Sequence, residues 1–328
     1  MHKFLVAHLE YGDRPLLPVT LHRQQSALSD TDSAMNWRNL STAVRAVRNS
    51  TSIPLFSTRT PPKVPEAGMS LPPLLMVHGV LASAATYRSI MKRPDFVPNR
   101  EIIGIDLRNH GQSPHLHPSD GMRYEDMASD ISAFLDSEGI EKACVVGHSM
   151  GGKVAMHLAL TEPEKVSELV VVDIAPISYM IGKDSGDPYV ATRAMRAVKL
   201  EQMQTRADVD AALQENGVKS EAVRQFAMTN LITSQDPNCK YQWKLNLAAI
   251  EEAFPSIMDF PDQDGRSYSG PTCLIRGGKS KYVPFQSMRV FTSLFPNSKL
   301  VTISDAGHWL QAQAPDDFCK SVNDFLVK

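Results

Sequence analysis

ACVVGHSMGGKVAMHLAL, residues 143–160, is the stretch on which the reading of the chain turns. Short apolar residues of strand character run straight into Gly147-His148-Ser149-Met150-Gly151, a G-x-S-x-G set, and then into a stretch that favours a helix. A strand that turns this sharply into a helix strains the backbone at the turn and presents the side chain there clear of the sheet. Gly147 and Gly151 let strand and helix pass without Cβ clashes. The placement predicts Ser149 as a nucleophile. A glycine loop that merely closes a strand is the plainer alternative, and the strand-to-helix context weighs against it.

Similar apolar runs lie on either side: LLMV (74–77), EIIGID (101–106), ELVVVD (168–173), TCLIR (272–276) and KLVTI (299–303), with SIPLFST near residue 52 as an edge strand. They are continuously apolar rather than alternating, so they read as strands covered on both faces. Helical spacing fills the gaps, as with Met127, Ile131, Phe134 and Leu135 over 124–138, and Phe318, Val322, Phe325 and Leu326 near the C-terminus. Alternating strands and helices predict an α/β fold, a mostly parallel sheet flanked by helices. Residues 177–270 break the rhythm. YVATRAMRAVKLEQM, ADVDAALQEN, SEAVRQFAMTNL and YQWKLNLAAIEEAF all read as helix, which predicts a helical lid inserted after the strand that follows the Ser149 turn.

A serine hydroxyl needs a base to take its proton, and the base must sit on a later loop at the same sheet edge. His308 in DAGHW, five residues past KLVTI, fits. The acid that orients such a histidine usually follows the preceding strand in a pattern like G-x-x-D-x-x-V-P. Here that stretch is Gly277-Gly278-Lys279-Ser280-Lys281-Tyr282-Val283-Pro284, with Ser280 at the acid position. An uncharged Ser cannot stabilise an imidazolium as a carboxylate does. Asp173, at the end of ELVVVD, is the replacement and keeps the chain order Ser149, Asp173, His308; Asp305 is a rival too close in sequence to the histidine. The His78-Gly79-Val80 turn after LLMV predicts an oxyanion hole from the backbone N–H groups of Val80 and Met150. Spacings for metal ligands, phosphate loops or dinucleotides are missing, so neither cofactor nor metal is expected.

HGVLAS, IDLRNHGQSPH, VVGHSMGGKVAMHLAL, VVDIAP and DAGHW together resemble the α/β-hydrolase superfamily. More closely they resemble its mitochondrial esterase-like branch, which also holds bacterial short-chain esterases and yeast ethanol acetyltransferases. The resemblance covers about residues 51–328 and implies an α/β-hydrolase fold and the same triad, Ser149, Asp173 and His308. Two positions depart from the pattern: Ala82 stands where a second glycine is frequent, and Gln313 where a Glu often follows the histidine.

The rest of the chain bounds the function. Its 328 residues carry 34 Lys+Arg against 36 Asp+Glu, a formal net charge of −2, which leaves no field to hold nucleic acid. Cys144, Cys239, Cys273 and Cys319 show no paired spacing, as expected in a reducing compartment. No apolar run approaches the length of a transmembrane segment. Between Asp32 and Glu66 there is no acidic residue, while Arg38, Arg45, Arg48, Arg59 and Lys63 supply positive charge. That is transit-peptide composition, so residues 1–50 read as an extension ahead of a 51–328 hydrolase domain, and the expected location is mitochondrial, otherwise cytoplasmic. The segment starts near Met35, which leaves residues 1–34 as an extension or Met35 as the working start.

The expected activity is hydrolysis of short-chain acyl esters or thioesters through an acyl-enzyme, with a small acyl ester or thioester as substrate and water or a small alcohol as acceptor. An alcohol acyltransferase making acetate esters uses the same triad. From another class comes a non-catalytic regulator that binds an acyl- or lipoyl-bearing mitochondrial complex, though its protein partner is not named by the sequence. A C–C bond hydrolase is a remoter option.

Overall fold

The computed structural model describes residues 52–64, 71–181 and 188–326, so the basic segment within residues 1–50 lies outside the described residues. One sheet organises the chain. Its strands are β1 (Ser57–Thr60), β2 (Leu74–Val77), β3 (Ile102–Ile105), β4 (Ala143–His148), β5 (Val166–Val172), β8 (Thr272–Gly277) and β9 (Ser298–Ile303). The spatial order is β1-β3-β2-β4-β5-β8-β9, with β1 antiparallel to β3 and every other pair parallel.

Strand residues alternate between two cores because successive side chains point to opposite faces. Leu75, Val77, Val145 and Val171 meet Met127, Ile131, Val154 and Leu158 of the helices Tyr124–Ser137 and Met150–Thr161 on one face. Leu74, Met76, Val146 and Val170 meet Tyr87, Phe96, Phe318 and Val322 on the other. The runs in β2, β3 and β4 are wholly buried, as continuous apolarity predicts. KLVTI is different: β9 is the sheet's edge, and Leu300 is 46% exposed. SIPLFST is also shifted. Only its last residues pair, because Pro54 has no N–H, Ile53 N–H donates to Asp130 and Phe56 N–H to Ser113 Oγ.

The segment between β5 and β8 forms the cap, with helices Pro188–Ala197, Arg206–Glu215, Glu221–Met228 and Leu247–Met258. It is not all helical. Leu231–Thr233 (β6) and Tyr241–Trp243 (β7) pair antiparallel, so YQWKLNLAAIEEAF enters its helix only at Leu247. The cause is the Asp236-Pro237-Asn238 turn, whose Asp236 Oδ1 accepts from the Asn238 N–H and folds the chain back. Cap and sheet are stitched together by polar contacts: Asn230 Nδ2 to the Leu81 carbonyl (2.8 Å), Asn246 N–H to the Asn109 carbonyl (3.0 Å), and Tyr124 Oη to the Ile257 carbonyl (2.5 Å).

The DLRNHG run after β3 is the polar anchor of this half of the sheet. Arg108 and Asp130 are both buried and face each other in two bonds of 2.7 and 2.8 Å. Arg108 also donates to the carbonyls of Gly121 and Asp126. Removing one partner of such a pair strands a buried charge. Arg108→Met is therefore expected to cost about 3–5 kcal/mol of unfolding free energy in urea denaturation. Arg59→Met, which breaks only the exposed pairs to Glu101 and Glu138, is expected to cost about 1 kcal/mol or less.

Candidate active site

Ser149 sits between β4 and the helix Met150–Thr161 with φ 54° and ψ −122°, a left-handed conformation that an L-residue holds only under constraint. The constraint is close backbone passage. A Cβ on Gly147 would lie 2.2 Å from the Gly151 carbonyl oxygen, and one on Gly151 would lie 2.4 Å from the carbonyl oxygens of Val77 and His78. Only hydrogen fits at either position, so the turn fixes where the serine hydroxyl points. The Ser149 N–H is tied to the Val172 carbonyl at 3.0 Å.

The three residues expected from the sequence come together. His308 Nε2 lies 3.1 Å from Ser149 Oγ, and His308 Nδ1 lies 2.7 Å from Asp173 Oδ2. Asp173 is fully buried, with φ 52°, and its other oxygen accepts the Gly277 N–H at 2.8 Å. A buried carboxylate makes Nδ1 the protonated nitrogen of the ring, which leaves the Nε2 lone pair facing the serine. Asp305, the rival acid, is an exposed partner of Lys279.

Val80 and Met150 flank the serine. Val80 lines the cavity above Ser149, and its N–H meets no acceptor among the described residues. Met150 is the first residue of its helix, where an N–H has no intrahelical acceptor. The cavity is narrow, with about 50 Å³ of free space, and its walls include Leu81, Ala82, Val223, Phe226 and Trp309. Pro188, Ala191, Val223 and Phe226 of the cap reach it, whereas Met228 and Leu247 are buried in the core, against which Met203 and Trp243 pack.

Residues 72–315 match the family described as alpha/beta hydrolase fold. The chain belongs to the α/β-hydrolase family. It is similar to the mouse protein named sn-1-specific diacylglycerol lipase ABHD11, 37% identical over 79% of this chain and 82% of that one. A probable alcohol acetyltransferase of Saccharomyces cerevisiae is 30% identical over 81% of this chain and 80% of its own length. Among solved structures, a marine microorganism esterase superposes with a TM-score of 0.74 at 31% identity, covering 84% of this chain and all of that one.

In this α/β-hydrolase, sequence reasoning missed several supports of the site. Ser280, noted only because it is not an acid, donates its hydroxyl to Asp173 Oδ2 and accepts the Tyr282 N–H. Its place in the G-x-x-D pattern was the available signal. Tyr282 stacks on the His308 ring with centroids 3.9 Å apart, and His148 Nε2 donates to the His308 carbonyl at 2.8 Å. Lys153 is also buried. Its Nζ donates to the carbonyls of Ile177, Met258 and Asp259, where the cap leaves and rejoins the sheet domain, and burial pushes its ammonium down to about 7. Among the described residues, no group of three or more His, Cys, Asp or Glu gathers as a metal would need.

Three buried histidines brace the floor of the site as neutral rings. His78 accepts the Leu107 N–H and His110 accepts the Leu81 N–H, so protonation of either ring would break a bond to the loops around the site. Burial pulls His78 from 6.5 to about 4. His110 and His148 fall to about 3, from burial first and then from a neighbouring histidine. All three shifts are downward, so as pH falls below 6.5 the unfolded chain takes up protons that the folded chain refuses. Their contribution to stability is complete above that value and is lost as pH falls toward about 4 for His78 and about 3 for His110 and His148. Lowering the pH from about 7 to about 5.5 is expected to remove roughly 3–4 kcal/mol of unfolding free energy. Urea melts at the two pH values check this, and a flat profile would contradict the neutral-ring assignment.

Proposed function

We propose that the chain is a serine hydrolase that cleaves short-chain acyl esters or thioesters through an acyl-enzyme. One observation carries the reading: Ser149 Oγ, the His308 ring and the buried Asp173 carboxylate form an unbroken hydrogen-bonded line that opens on a narrow, largely apolar cavity. His308 Nε2 takes the hydroxyl proton as Ser149 Oγ attacks the carbonyl carbon. Asp173 holds the ring and stabilises the imidazolium. The backbone N–H groups of Val80 and Met150 stabilise the oxygen that gains charge. The imidazolium then gives its proton to the departing alcohol or thiol. Water, deprotonated by the same nitrogen, attacks the acyl carbon and releases the acid and Ser149.

The limited free space supports a short acyl chain. The names of the relatives support ester chemistry, and the yeast relative supports a second acceptor, in which an alcohol enters in place of water and leaves as an ester. We assign the protein to mitochondria on the basic, acid-free stretch between Asp32 and Glu66. A reporter fused to residues 1–64 is expected to enter mitochondria, and diffuse cytosolic signal would reject the assignment.

Hydrolysis of p-nitrophenyl acetate tests the residue roles. Ser149→Ala is expected to fall to background and Asp173→Asn to lose roughly 10³- to 10⁴-fold in kcat. Ser280→Ala removes one of the donors to Asp173 and is expected to lose roughly tenfold, with kcat affected more than KM. Full activity in Asp173→Asn would mean that another group orients His308. Ethanol added with an acetyl thioester separates the acceptors: ethyl acetate above background supports transfer, and acetate alone supports hydrolysis.

A further inference from the structure

The ring of Tyr282 lies on that of His308 with centroids 3.9 Å apart and planes 27° from parallel. The His308 side chain is 19% exposed, so solvent screens little of what surrounds it. Its ring edge is already taken, Nδ1 by Asp173 and Nε2 by Ser149. Among the neighbouring rings, Phe226 and Trp309 face each other with centroids 5.2 Å apart, and His148 commits its Nε2 to the His308 carbonyl. Tyr282 instead turns the electron-rich face of its ring to the histidine, at a separation well inside the reach of a cation–π contact.

We propose that the Tyr282 ring face stabilises the imidazolium of His308, and that Tyr179 is the positioning residue that holds this ring in place. The inference rests on the serine-hydrolase reading and deepens it. On that reading His308 is charged only between the attack on the carbonyl and the departure of the leaving group. Asp173 answers that charge in the plane of the ring, and the π face of Tyr282 answers it from above. A neutral imidazole gains little from such a face. The contact therefore strengthens as the proton arrives, which is the condition for raising kcat rather than lowering KM.

The Tyr282 backbone is pinned on both sides of its Cα. Its N–H donates to Ser280 Oγ at 3.2 Å, and its carbonyl accepts Tyr179 Oη at 2.6 Å. The same phenol oxygen accepts the Ala175 N–H at 2.9 Å, just past Asp173, and the Tyr179 N–H donates to the Met258 carbonyl at 2.8 Å, where the cap returns. Tyr179 thus ties the loop that carries Tyr282 to the segment that follows Asp173 and to the base of the cap.

Tyr282→Phe, followed by stepwise fluorination of that ring, tests the charge role, because fluorine drains the π face and leaves the shape of the ring nearly unchanged. With p-nitrophenyl acetate, kcat is expected to fall along the series, by roughly three- to tenfold from the plain to the fully fluorinated ring, at constant KM. Neutral stacking or mere filling of space would leave kcat level. A level series would overturn the inference while leaving the hydrolase reading intact. Tyr179→Phe removes the bond to the Tyr282 carbonyl and is expected to lower kcat roughly threefold. In a Tyr282→Leu background it is expected to cost nothing further, since the ring it positions is gone. An equal loss in both backgrounds would overturn the role given to Tyr179. No turnover of any ester by the native protein would overturn the hydrolase reading and this inference with it.

Discussion

A carboxylate with no exposed surface is the constraint around which the candidate site is arranged. Buried oxygens need hydrogen-bond donors, and those of Asp173 receive them from Gly277 N–H, the Ser280 hydroxyl and His308 Nδ1. Each donor comes from a different part of the C-terminal half. Gly277 ends β8, Ser280 lies in the loop beyond it, and His308 follows β9. Satisfying one buried charge therefore brings three segments to one point, and the parallel pairing of β5 with β8 sets the first of them in register.

The serine is placed by an independent device. Its strained turn depends on backbones passing at distances that only glycine permits, and the same crowding brings the His78–Gly79 turn alongside it. On the proposed reading, nucleophile and acid–base pair are positioned from opposite sides, by steric exclusion and by charge satisfaction. They meet across the 3.1 Å between Ser149 Oγ and His308 Nε2.

The cap is coupled to this arrangement through polar bonds at its ends as well as apolar packing. Lys153, on the helix that begins at the nucleophile turn, holds the carbonyls of Ile177, Met258 and Asp259, while Asn230 holds the carbonyl of Leu81 in the loop that follows Val80. Phe226 of the cap lies against Trp309 with ring centroids 5.2 Å apart, directly beside His308. A shift of the cap would thus be felt on both walls of the cavity.

Local pattern alone determined a good deal. The Ser149 turn, the alternation of strand and helix, the absence of an acid at position 280 and the availability of Asp173 are facts about neighbouring residues, because strand runs, tight turns and glycine requirements act over a few positions. Edge exposure of β9, the late start of β1 and the β6–β7 pair were not legible, since each depends on what lies beside the strand in space rather than in sequence. The same holds for the Ser280 hydroxyl on Asp173 and the stacking of Tyr282 on His308. These contacts join residues far apart in the chain, and only tertiary packing decides which polar group finds which partner.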